Sequence, residues 1–593
     1  MSTSPIFVVL SVESAVASDQ ALCRFAQFLG LRTELVTLRG NLVDPPAELL
    51  TPAPGGRVLA LECTTLRQIF QRDWFASLLA EVRFVLVYGF APAEGELPEL
   101  KWLTGGALSS VTAISSESKQ FTVHSDVRFG GFPVSGKSYS VESVPTAAFS
   151  AVPPGPSIEP YISVNGHPHF VCIARGHSVL FLLAEPELVD IDKVLSPEVS
   201  LRGWYAQLIA ITIFLRSAFG DWCWTAPVTG ATLVVDDPYL KKRYGFVHYE
   251  TLVQELERTR GALTIAFIPY NYCRSDPQTV SLLLHHTDRF SIAIHGCDHT
   301  GGEFASLNEA WLAGTATCAL ERMESHTDRT KIPFDNVMVF PQGRFSTKAI
   351  RALKGCGFTA AINTTLWPVD YSESPLTIRD LLEVAVTRYE NFPIFGRHYP
   401  RDIFDYAFDA LFQKPVLAVE HHGFFRSGYE ALAKLVHEVS ALSNKVVWMP
   451  LGGTVTSSCV LKRTGDDQFA LRHLSPVLRF RNPTLANLSL SVEKPEQDGQ
   501  VEAVLVGGQR VAFEVSSGLL KYSVCLRVGE ELNVVILHRQ IPKASRRPSW
   551  KYLFAVSVRR VLSEFRDNHL ARSEGILSFT EKVKEMLASS KRS

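Results

Sequence analysis

The sequence predicts an α/β protein in which a central (β/α) barrel is preceded by an α/β domain and followed by a small β-rich domain. Three observations predict this fold. Apolar runs of strand length alternate with helix-length segments up to about residue 453, which is typical of parallel strands covered by helices. Between residues 226 and 453 several of these runs end in ionisable residues. Beyond residue 454, short alternating segments separated by Gly-containing turns indicate antiparallel strands.

The composition is that of a packed globular protein and excludes several functional classes. The chain has 593 residues, of which 46% are hydrophobic and 20% charged, so extensive disorder is excluded. Lys and Arg number 59 and Asp and Glu number 60, so there is no basic surplus and no nucleic-acid partner is expected. The most apolar stretch, residues 204–215, is shorter than the ~20 residues of a membrane-spanning helix, so no transmembrane segment is expected.

The N-terminus and the cysteines favour a cytoplasmic protein. No positive residue precedes the first apolar run, so a secretory signal is not expected, although non-classical export is left open. The ten cysteines occur singly, without a Cys-x-x-Cys pair, which predicts reduced thiols and neither a disulfide framework nor a cysteine zinc cage. A homo-oligomer is left open as well.

Residues 1–220 are assigned to the N-terminal α/β domain, whose role the sequence does not indicate. No phosphate-binding loop follows its strands, so a structural or interaction role is expected. The Gly-, Pro- and Ser-rich stretch 129–160 predicts a long loop. The predicted elements are strands at 6–10, 32–38, 57–63 and 84–90 and helices at 19–29 and 66–82.

A hairpin at residues 169–183 and a helix at 203–219 complete this domain. Together they resemble the closing part of glutamine-amidotransferase-like domains, which implies an amidotransferase- or flavodoxin-like sheet. The stretch contains no nucleophile elbow. The resemblance therefore serves only to group residues 1–220 into one unit.

Residues 226–453 form the predicted barrel, in which four apolar runs lead directly into polar residues. Because the carboxyl ends of all barrel strands lie on one face, these residues are expected to meet in one cleft. Helix signals lie between the runs: Ser306-Leu-Asn-Glu309 predicts a capping box, and a helix over 346–354 ends at Gly355. The four junctions are Asp236-Asp237, His295-Gly-Cys-Asp-His299, Pro341-Gln342-Gly343-Arg344 and His421-His422.

Each junction taken singly has an ordinary structural alternative. Asp236-Asp237 is also typical of a turn or a helix cap, and His421-His422 of a strand end with one core histidine. The joint occurrence at strand ends within one domain is what indicates a site. Two imidazoles and one carboxylate suit a divalent metal ion, zinc first, with one position left for water. A second carboxylate can accept the proton of that water, and a further histidine can protonate a leaving nitrogen.

These motifs resemble the polysaccharide deacetylase superfamily, carbohydrate esterase family 4 and its relatives, over residues 228–453. The resemblance implies that Asp236 is the general base and that Asp237, His295 and His299 bind the metal. The closing motif, Val419-Glu-His421, implies that His421 is the general acid, in preference to His422.

One motif departs from the family pattern. The family usually places an arginine just before Pro-x-Gly, whereas Val339-Phe340 stands there in this chain. Arg344 lies just after the motif and could approach Asp236 from the other side. Without such a partner, the pKa of Asp236 would be poorly tuned and turnover would suffer more than metal binding. The residues expected to line the substrate site are Pro341, Gln342, Arg344, His422 and Trp367, with a core role for Trp367 as an equal alternative.

The favoured hypothesis is a zinc-dependent hydrolase that removes N-acetyl or similar acyl groups from a hexosamine-containing glycan. One alternative is a non-catalytic glycan-binding or assembly protein, which the missing arginine motivates. Another is a glycoside hydrolase on a related barrel, which would need two carboxylates about 5–10 Å apart across a sugar bond. Asp236 and Asp237 are adjacent, and they suit the duties of a base and a metal ligand better.

Residues 454–593 are assigned to the C-terminal β-rich domain and a terminal helix. Alternating strands are predicted at 488–493, 502–506 and 532–537. The tail, 562–587, has helical periodicity and basic residues, and we expect a solvated amphipathic face there rather than a membrane anchor.

Overall fold

The structure is a computed structural model that describes residues 4–12, 16–39, 44–50, 53, 55–93, 95–142, 144–151, 158–539, 546 and 548–570. It is a mixed α/β protein in which two large sheets are followed by two smaller ones. Among the described helices, none combines the length and the apolar character that crossing a bilayer requires.

The N-terminal part of the chain contributes a nine-stranded sheet in the order β2-β1-β3-β4-β11-β10-β9-β6-β7. The strands from β2 to β11 in this order are parallel, and the remaining four continue the sheet antiparallel. The strands of this part of the chain are β1 Ile6–Val12, β2 Thr33–Leu38, β3 Arg57–Glu62, β4 Phe84–Tyr88, β5 Leu108–Ala113, β6 Ser118–Val123, β7 Lys137–Glu142, β8 Ala147–Ala151, β9 Ile158–Val164, β10 His167–Arg175, β11 Ser178–Leu183 and β12 Val194–Leu195. Strands β5 and β8 pair with each other outside the nine-stranded sheet, and β12 also lies outside it. Its helices are α1 Val16–Phe28, α2 Ala47–Leu50, α3 Cys63–Ile69, α4 Asp73–Glu81, α5 Pro98–Thr104 and α6 Tyr205–Phe219.

Helix α6 explains the most apolar stretch of the sequence. Most of its side chains are buried, because it lies between the N-terminal sheet and the barrel. The ring of Tyr205 stacks on Phe408 of the barrel with centroids 3.7 Å apart. One continuous hydrophobic cluster, which includes Phe7, Phe214 and Leu233, therefore joins the two parts of the molecule.

Two expectations for this region are wrong. The single helix expected over 66–82 is two helices, α3 and α4, because Arg72 is extended (φ −87°, ψ 131°) and the turn there lets both Ile69 and Phe75 be buried. The stretch 129–160, expected as a loop, contains β7, β8 and the start of β9, while residues 143 and 152–157 lie outside the described part. Tertiary pairing overrides the turn-rich composition, since Tyr139 of β7 stacks on Phe121 of β6 with ring centroids 5.1 Å apart.

The central part is a parallel sheet in the order β21-β19-β18-β17-β16-β13-β22. His398, just after β21, forms a parallel bridge with Ala418 of β22 and so joins the two ends of this order into a barrel. The strands of the central part are β13 Thr229–Asp236, β14 Arg243–Tyr244, β15 Val247–His248, β16 Leu263–Phe267, β17 Phe290–His295, β18 Phe334–Val339, β19 Ala360–Asn363, β20 Leu376–Thr377, β21 Ile394–Gly396, β22 Val416–His421 and β23 Val446–Trp448. Strand β23 joins the sheet by pairing with β13, whereas β14 pairs with β15 and β20 pairs with β12 outside it. Its helices are α7 Tyr249–Thr259, α8 Pro277–Leu284, α9 Glu309–Thr330, α10 Thr347–Gly355, α11 Ile378–Leu382, α12 Ile403–Leu411, α13 Glu430–Ser440 and α14 Leu451–Ser457.

The two helix signals in the barrel have different outcomes. Ser346 caps α10 by accepting a hydrogen bond from the backbone N–H of Ala349, and α10 ends at Gly355 as expected. The capping box at Ser306 is wrong, because Asn308 caps α9 through the backbone N–H of Trp311 at 3.0 Å. Ser306 instead accepts a hydrogen bond from the N–H of Asn308.

The C-terminal part contains two sheets around a separate hydrophobic cluster. Their strand orders are β24-β25-β27-β31-β30 and β26-β32-β28-β29. The strands expected at 488–493, 502–506 and 532–537 correspond to β27, β28 and β32. The elements are β24 Cys459–Arg463, β25 Gln468–His473, β26 Val477–Arg481, β27 Leu488–Pro495, β28 Val501–Val506, β29 Gln509–Val511, β30 Glu514–Ser516, β31 Leu519–Leu526, β32 Glu531–His538 and α15 Trp550–Asn568.

Helix α15 leaves the C-terminal sheets and packs on the barrel. Its polar side chains contact barrel residues that follow β13, β16, β17 and β22, and these include Tyr239, Arg274 and His422. In the described part of the tail, residues 562–570, the amphipathic helix expected there is present with Leu562 and Phe565 exposed to solvent, but its acidic residues Glu564 and Asp567 face the barrel. Residues 571–587 lie outside the described part of the chain.

Candidate metal centre and active site

The predicted site residues meet at the carboxyl-terminal edge of the barrel. Asp236, His295 and His421 are the last residues of β13, β17 and β22. Asp237 and His299 lie in the loops that follow, and both have positive φ angles, +84° and +54°. The change of backbone direction after Asp236 lets two adjacent carboxylates serve different partners.

Asp237, His295 and His299 form a cluster suited to a metal ion. One ligand atom from each lies within 4.8 Å of the others. Oδ1 of Asp237 is 3.2 Å from Nε2 of His299 and 3.7 Å from Nε2 of His295. This oxygen is buried and makes no hydrogen bond to any residue that the structure describes. A buried carboxylate oxygen that faces two imidazole nitrogens suits a divalent cation such as Zn²⁺. These three residues therefore fit the metal ion that the sequence motifs imply.

Both imidazoles are in a state that can bind a cation. Nδ1 of His295 is 3.0 Å from the carbonyl oxygen of Val339, to which it donates, so Nε2 carries the free lone pair. Burial, and then the neighbouring His295, lower the pKa of His299 to about 3, which keeps its imidazole neutral at pH 7. The motif loop is held by Glu303, whose carboxylate accepts hydrogen bonds from the backbone N–H groups of Cys297 and His299.

Asp236 is paired with an arginine that the sequence motifs did not single out. Nη1 and Nη2 of Arg397 donate to Oδ1 and Oδ2 of Asp236 at 2.7 and 2.8 Å, and both side chains are buried. Burial alone would raise the pKa of Asp236, but the charge of Arg397 and its hydrogen bonds outweigh that effect and lower the pKa to about 2. Asp236 is therefore ionised at neutral pH.

Barrel closure explains why Arg397 reaches Asp236. Arg397 follows β21 and precedes His398, whose backbone bonds to Leu417 and Val419 attach this segment to β22. Strand β22 is in turn the neighbour of β13, with His421 opposite Asp236 in the register. Arg344 is exposed and lies beside Gly302, so Arg397 and not Arg344 is the charge partner. A sequence signal existed, because Arg397 also follows a short apolar run, 392–395.

His421 and His422 have different surroundings. His421 is exposed at the end of β22, opposite Asp236 in the strand register. His422 turns toward α15, where its Nε2 is 3.5 Å from Oδ1 of Asp567. Its ring stacks on Phe246 with centroids 5.8 Å apart.

The remaining predicted residues surround the site at different depths. Pro341 is buried and packs against Gly296. A Cβ atom at Gly296 would overlap both Pro341 and Glu303, and its φ of +63° favours glycine, so only glycine allows this close contact. Gln342 is exposed, and Trp367 is half-buried with an indole N–H that has no hydrogen-bond partner among the described residues. Asp370, the acidic neighbour of Trp367, accepts a hydrogen bond from the backbone N–H of Thr347 at the start of α10.

Helix α15 brings further residues to the site that no sequence pattern places there. Nη2 of Arg560 is 3.4 Å from Nδ1 of His299. Asp298, inside the His-x-x-x-His motif, turns away from the candidate metal ligands and is held by Arg322, Arg546 and Tyr552. No local pattern in residues 546–567 indicates that this segment contacts a barrel more than 240 positions earlier in the chain.

Comparisons with known proteins give structural matches only. No family model and no curated protein matches the chain. The carbohydrate deacetylase Agd3 matches with a TM-score of 0.45 and 10% identity, over 89% of this chain and 99% of its own. A family 4 carbohydrate esterase from Bacillus anthracis (TM-score 0.24, 14% identity) matches over 40% of this chain and 86% of its own. A mutant form of the peptidoglycan deacetylase PdaC from Bacillus subtilis (TM-score 0.23, 9% identity) matches over 39% of this chain and 92% of its own.

Proposed function

We propose that the chain is a metal-dependent hydrolase that removes N-acetyl or similar acyl groups from a hexosamine-containing glycan or its precursor. The observation that carries the proposal is a group of side chains that meet at the carboxyl-terminal edge of the barrel. The ligand atoms of Asp237, His295 and His299 lie within 4.8 Å of one another, and the carboxylate of the adjacent Asp236 is fixed by Arg397.

Asp237, His295 and His299 would hold the metal ion. Two imidazole nitrogens and one carboxylate oxygen leave a coordination position for a small ligand, as catalytic zinc sites do. When bound, the ion polarises a carbonyl group and lowers the pKa of a water molecule toward neutrality. The carbonyl oxygen of Val339 keeps the ring of His295 oriented for this duty.

Asp236 and His421 would handle the protons. Asp236 is ionised at neutral pH, so it can accept the proton of the attacking water, and Arg397 fixes both of its oxygens in place. His421 ends the neighbouring strand, opposite Asp236 in the register, and can protonate the departing amine. A base and an acid on adjacent strands therefore face the same small region, as amide hydrolysis requires.

The two alternatives fit the geometry less well. The non-catalytic alternative was motivated by the missing arginine before Pro341, and Arg397 removes that motive. A glycoside hydrolase needs two carboxylates that face each other across a sugar bond. Here Asp236 and Asp237 are consecutive residues at the end of one strand, and Asp237 faces two imidazoles, so they do not form such a pair.

Metal analysis combined with an acetate assay tests the proposal. We expect about one zinc per purified chain and acetate release from acetylated amino-sugar oligomers. His295→Ala should lose the metal, and Asp236→Asn should keep the metal but lose acetate release. Two exposed positions serve as matched controls, because His285→Ala and Asp288→Asn change the same residue types away from the site.

Three outcomes would contradict the proposal. Metal without acetate release from any oligomer favours the glycan-binding alternative. New reducing ends without acetate indicate glycosidic cleavage. A His295→Ala variant that retains its full metal content would mean that the ion binds elsewhere.

A further inference from the structure

Helix α15 is attached to the barrel through its polar face. Glu564 accepts hydrogen bonds from Tyr239 and from Nη2 of Arg274, and Asp567 accepts one from the hydroxyl of Tyr244 at 2.8 Å. Ser557, Tyr552 and Asn568 make further hydrogen bonds to the loops around the barrel mouth. Within the described span of the helix, Val556 is the only hydrophobic side chain that is fully buried. The attachment is therefore largely one of hydrogen bonds and ion pairs.

The opposite face of α15, here called the outer face, is apolar and open to solvent. A surface helix normally buries its apolar stripe and exposes its polar one, and α15 does the reverse. The side chains lie on one side of the helix at spacings of three, four and seven, so they form a contiguous stripe. They are Trp550 (74% exposed), Leu553 (41%), Phe554 (66%), Val558 (42%), Val561 (64%), Leu562 (63%) and Phe565 (52%).

The charges that the described part of α15 places around the outer face are positive. Lys551 is exposed next to Trp550, and Arg559 and Arg566 border a shallow groove together with Phe554, Val558 and Leu562. The acidic residues Glu564 and Asp567 are both engaged with the barrel, and Asp567 also pairs with Arg566. Among the cations that border the outer face in the described part of α15, Lys551 and Arg559 are therefore the ones without an acidic partner on the helix. The solvent side of α15 therefore combines large apolar side chains with cations.

We propose that the outer face of α15 binds the surface of an anionic lipid bilayer. Large apolar side chains that enter the acyl boundary, with Lys and Arg alongside that meet anionic headgroups, are the features of a helix that lies in the membrane interface. A partner protein of neutral or basic surface would not use the cations, and a second copy of the same face would set like charges against one another. The proposal does not depend on the deacetylase function. It places the barrel mouth, which α15 adjoins, next to the membrane.

Vesicle co-sedimentation of the full chain tests this proposal. The probes are vesicles of phosphatidylcholine alone and of phosphatidylcholine with about 30% phosphatidylserine, at about 0.15 M salt. We expect at least about tenfold tighter binding to the anionic vesicles, which weakens as salt rises. The variant F554S/V561S/L562S should lose at least about tenfold in affinity. Its side chains are more than half exposed, so its fold should be kept, as circular dichroism can check.

A matched control removes exposed apolar side chains elsewhere. L485S/V528S changes residues that are 96% and 51% exposed in turns between the C-terminal strands, and it should bind vesicles like the wild type. K551Q/R559Q should lose the preference for anionic vesicles while retaining weak binding to neutral ones.

Four results would overturn the proposal. The first is that the wild type binds neither kind of vesicle. The second is that F554S/V561S/L562S binds as tightly as the wild type. The third is that the wild type binds neutral and anionic vesicles with equal affinity. The fourth is a wild type that is dimeric by light scattering while F554S/V561S/L562S is monomeric, which would assign the outer face to a second copy.

Discussion

Two arginines reach the candidate site from different parts of the chain, and they are held in different ways. Arg397 follows β21, where the backbone bonds between its neighbour His398 and β22 fix the segment, and it makes two short hydrogen bonds to Asp236. Arg560 is carried by α15, whose attachment consists largely of side-chain contacts, and its nearest approach to His299 is 3.4 Å. The comparison teaches that backbone hydrogen bonds of the barrel hold the inner wall of the site, whereas side-chain hydrogen bonds and ion pairs hold the side formed by α15.

The largest expected effect is that of removing the inner arginine. Arg397→Ala leaves the buried carboxylate of Asp236 without a partner, so we expect the free energy of unfolding to fall by about 3–5 kcal/mol. Acetate release should fall at least about 100-fold because the base loses its orientation. Urea unfolding and the acetate assay measure the two effects.

Arg344→Ala is the matched control, because Arg344 is exposed and follows the family motif directly. We expect it to change stability by no more than about 0.5 kcal/mol. If Arg344→Ala were as damaging as Arg397→Ala, the assignment of Arg397 as the partner of Asp236 would be wrong.

A smaller and local effect is expected from weakening the attachment of α15. Asp567→Asn removes the charge that accepts a hydrogen bond from Tyr244 and lies 3.5 Å from Nε2 of His422, and a hydrogen bond to a charged group contributes about 1.5–3 kcal/mol. Amide hydrogen exchange in α15 should therefore be at least about tenfold faster, while exchange in β13 stays the same. Glu514→Gln, at an exposed position of the C-terminal sheets, should change neither. Equal acceleration in α15 and β13 would show that the two regions are not held independently.

The smallest expected effect is a pH dependence of the same helix. Burial would raise the pKa of Asp567, but contacts with His422, Arg566 and Tyr244 outweigh it and hold the pKa below its usual range. A depressed pKa contributes stability that is present above the unfolded value of about 4 and lost as the pH falls below it. Protection factors of α15 amides should therefore drop below about pH 4 before those of β13 do. Protection of α15 that rises with acid would contradict the assignment.

The sequence predicted the barrel strands that carry chemistry more reliably than the elements around them. The runs before Asp236, His295 and His421 are buried strands because continuous apolar segments have few other stable arrangements in a helix-covered sheet. The expectation for residues 129–160 failed because their composition favours turns, while long-range pairing makes strands of much of the stretch. The predicted N-cap of α9 was wrong by two residues, because Ser306 and Asn308 are both good N-cap residues and only packing selects one of them.

The sequence by itself determined which residue types are available for chemistry and at which strand ends they stand. Asp237, His295 and His299 could be proposed together because parallel strands bring their carboxyl ends to one face. Only the tertiary structure decided the partners that come from distant segments. Closing the barrel through His398 and Ala418 delivers Arg397 to Asp236, and the return of α15 places Arg560 beside His299. Contacts of this kind depend on how distant segments pack in three dimensions, which the spacing of residues within one segment does not specify.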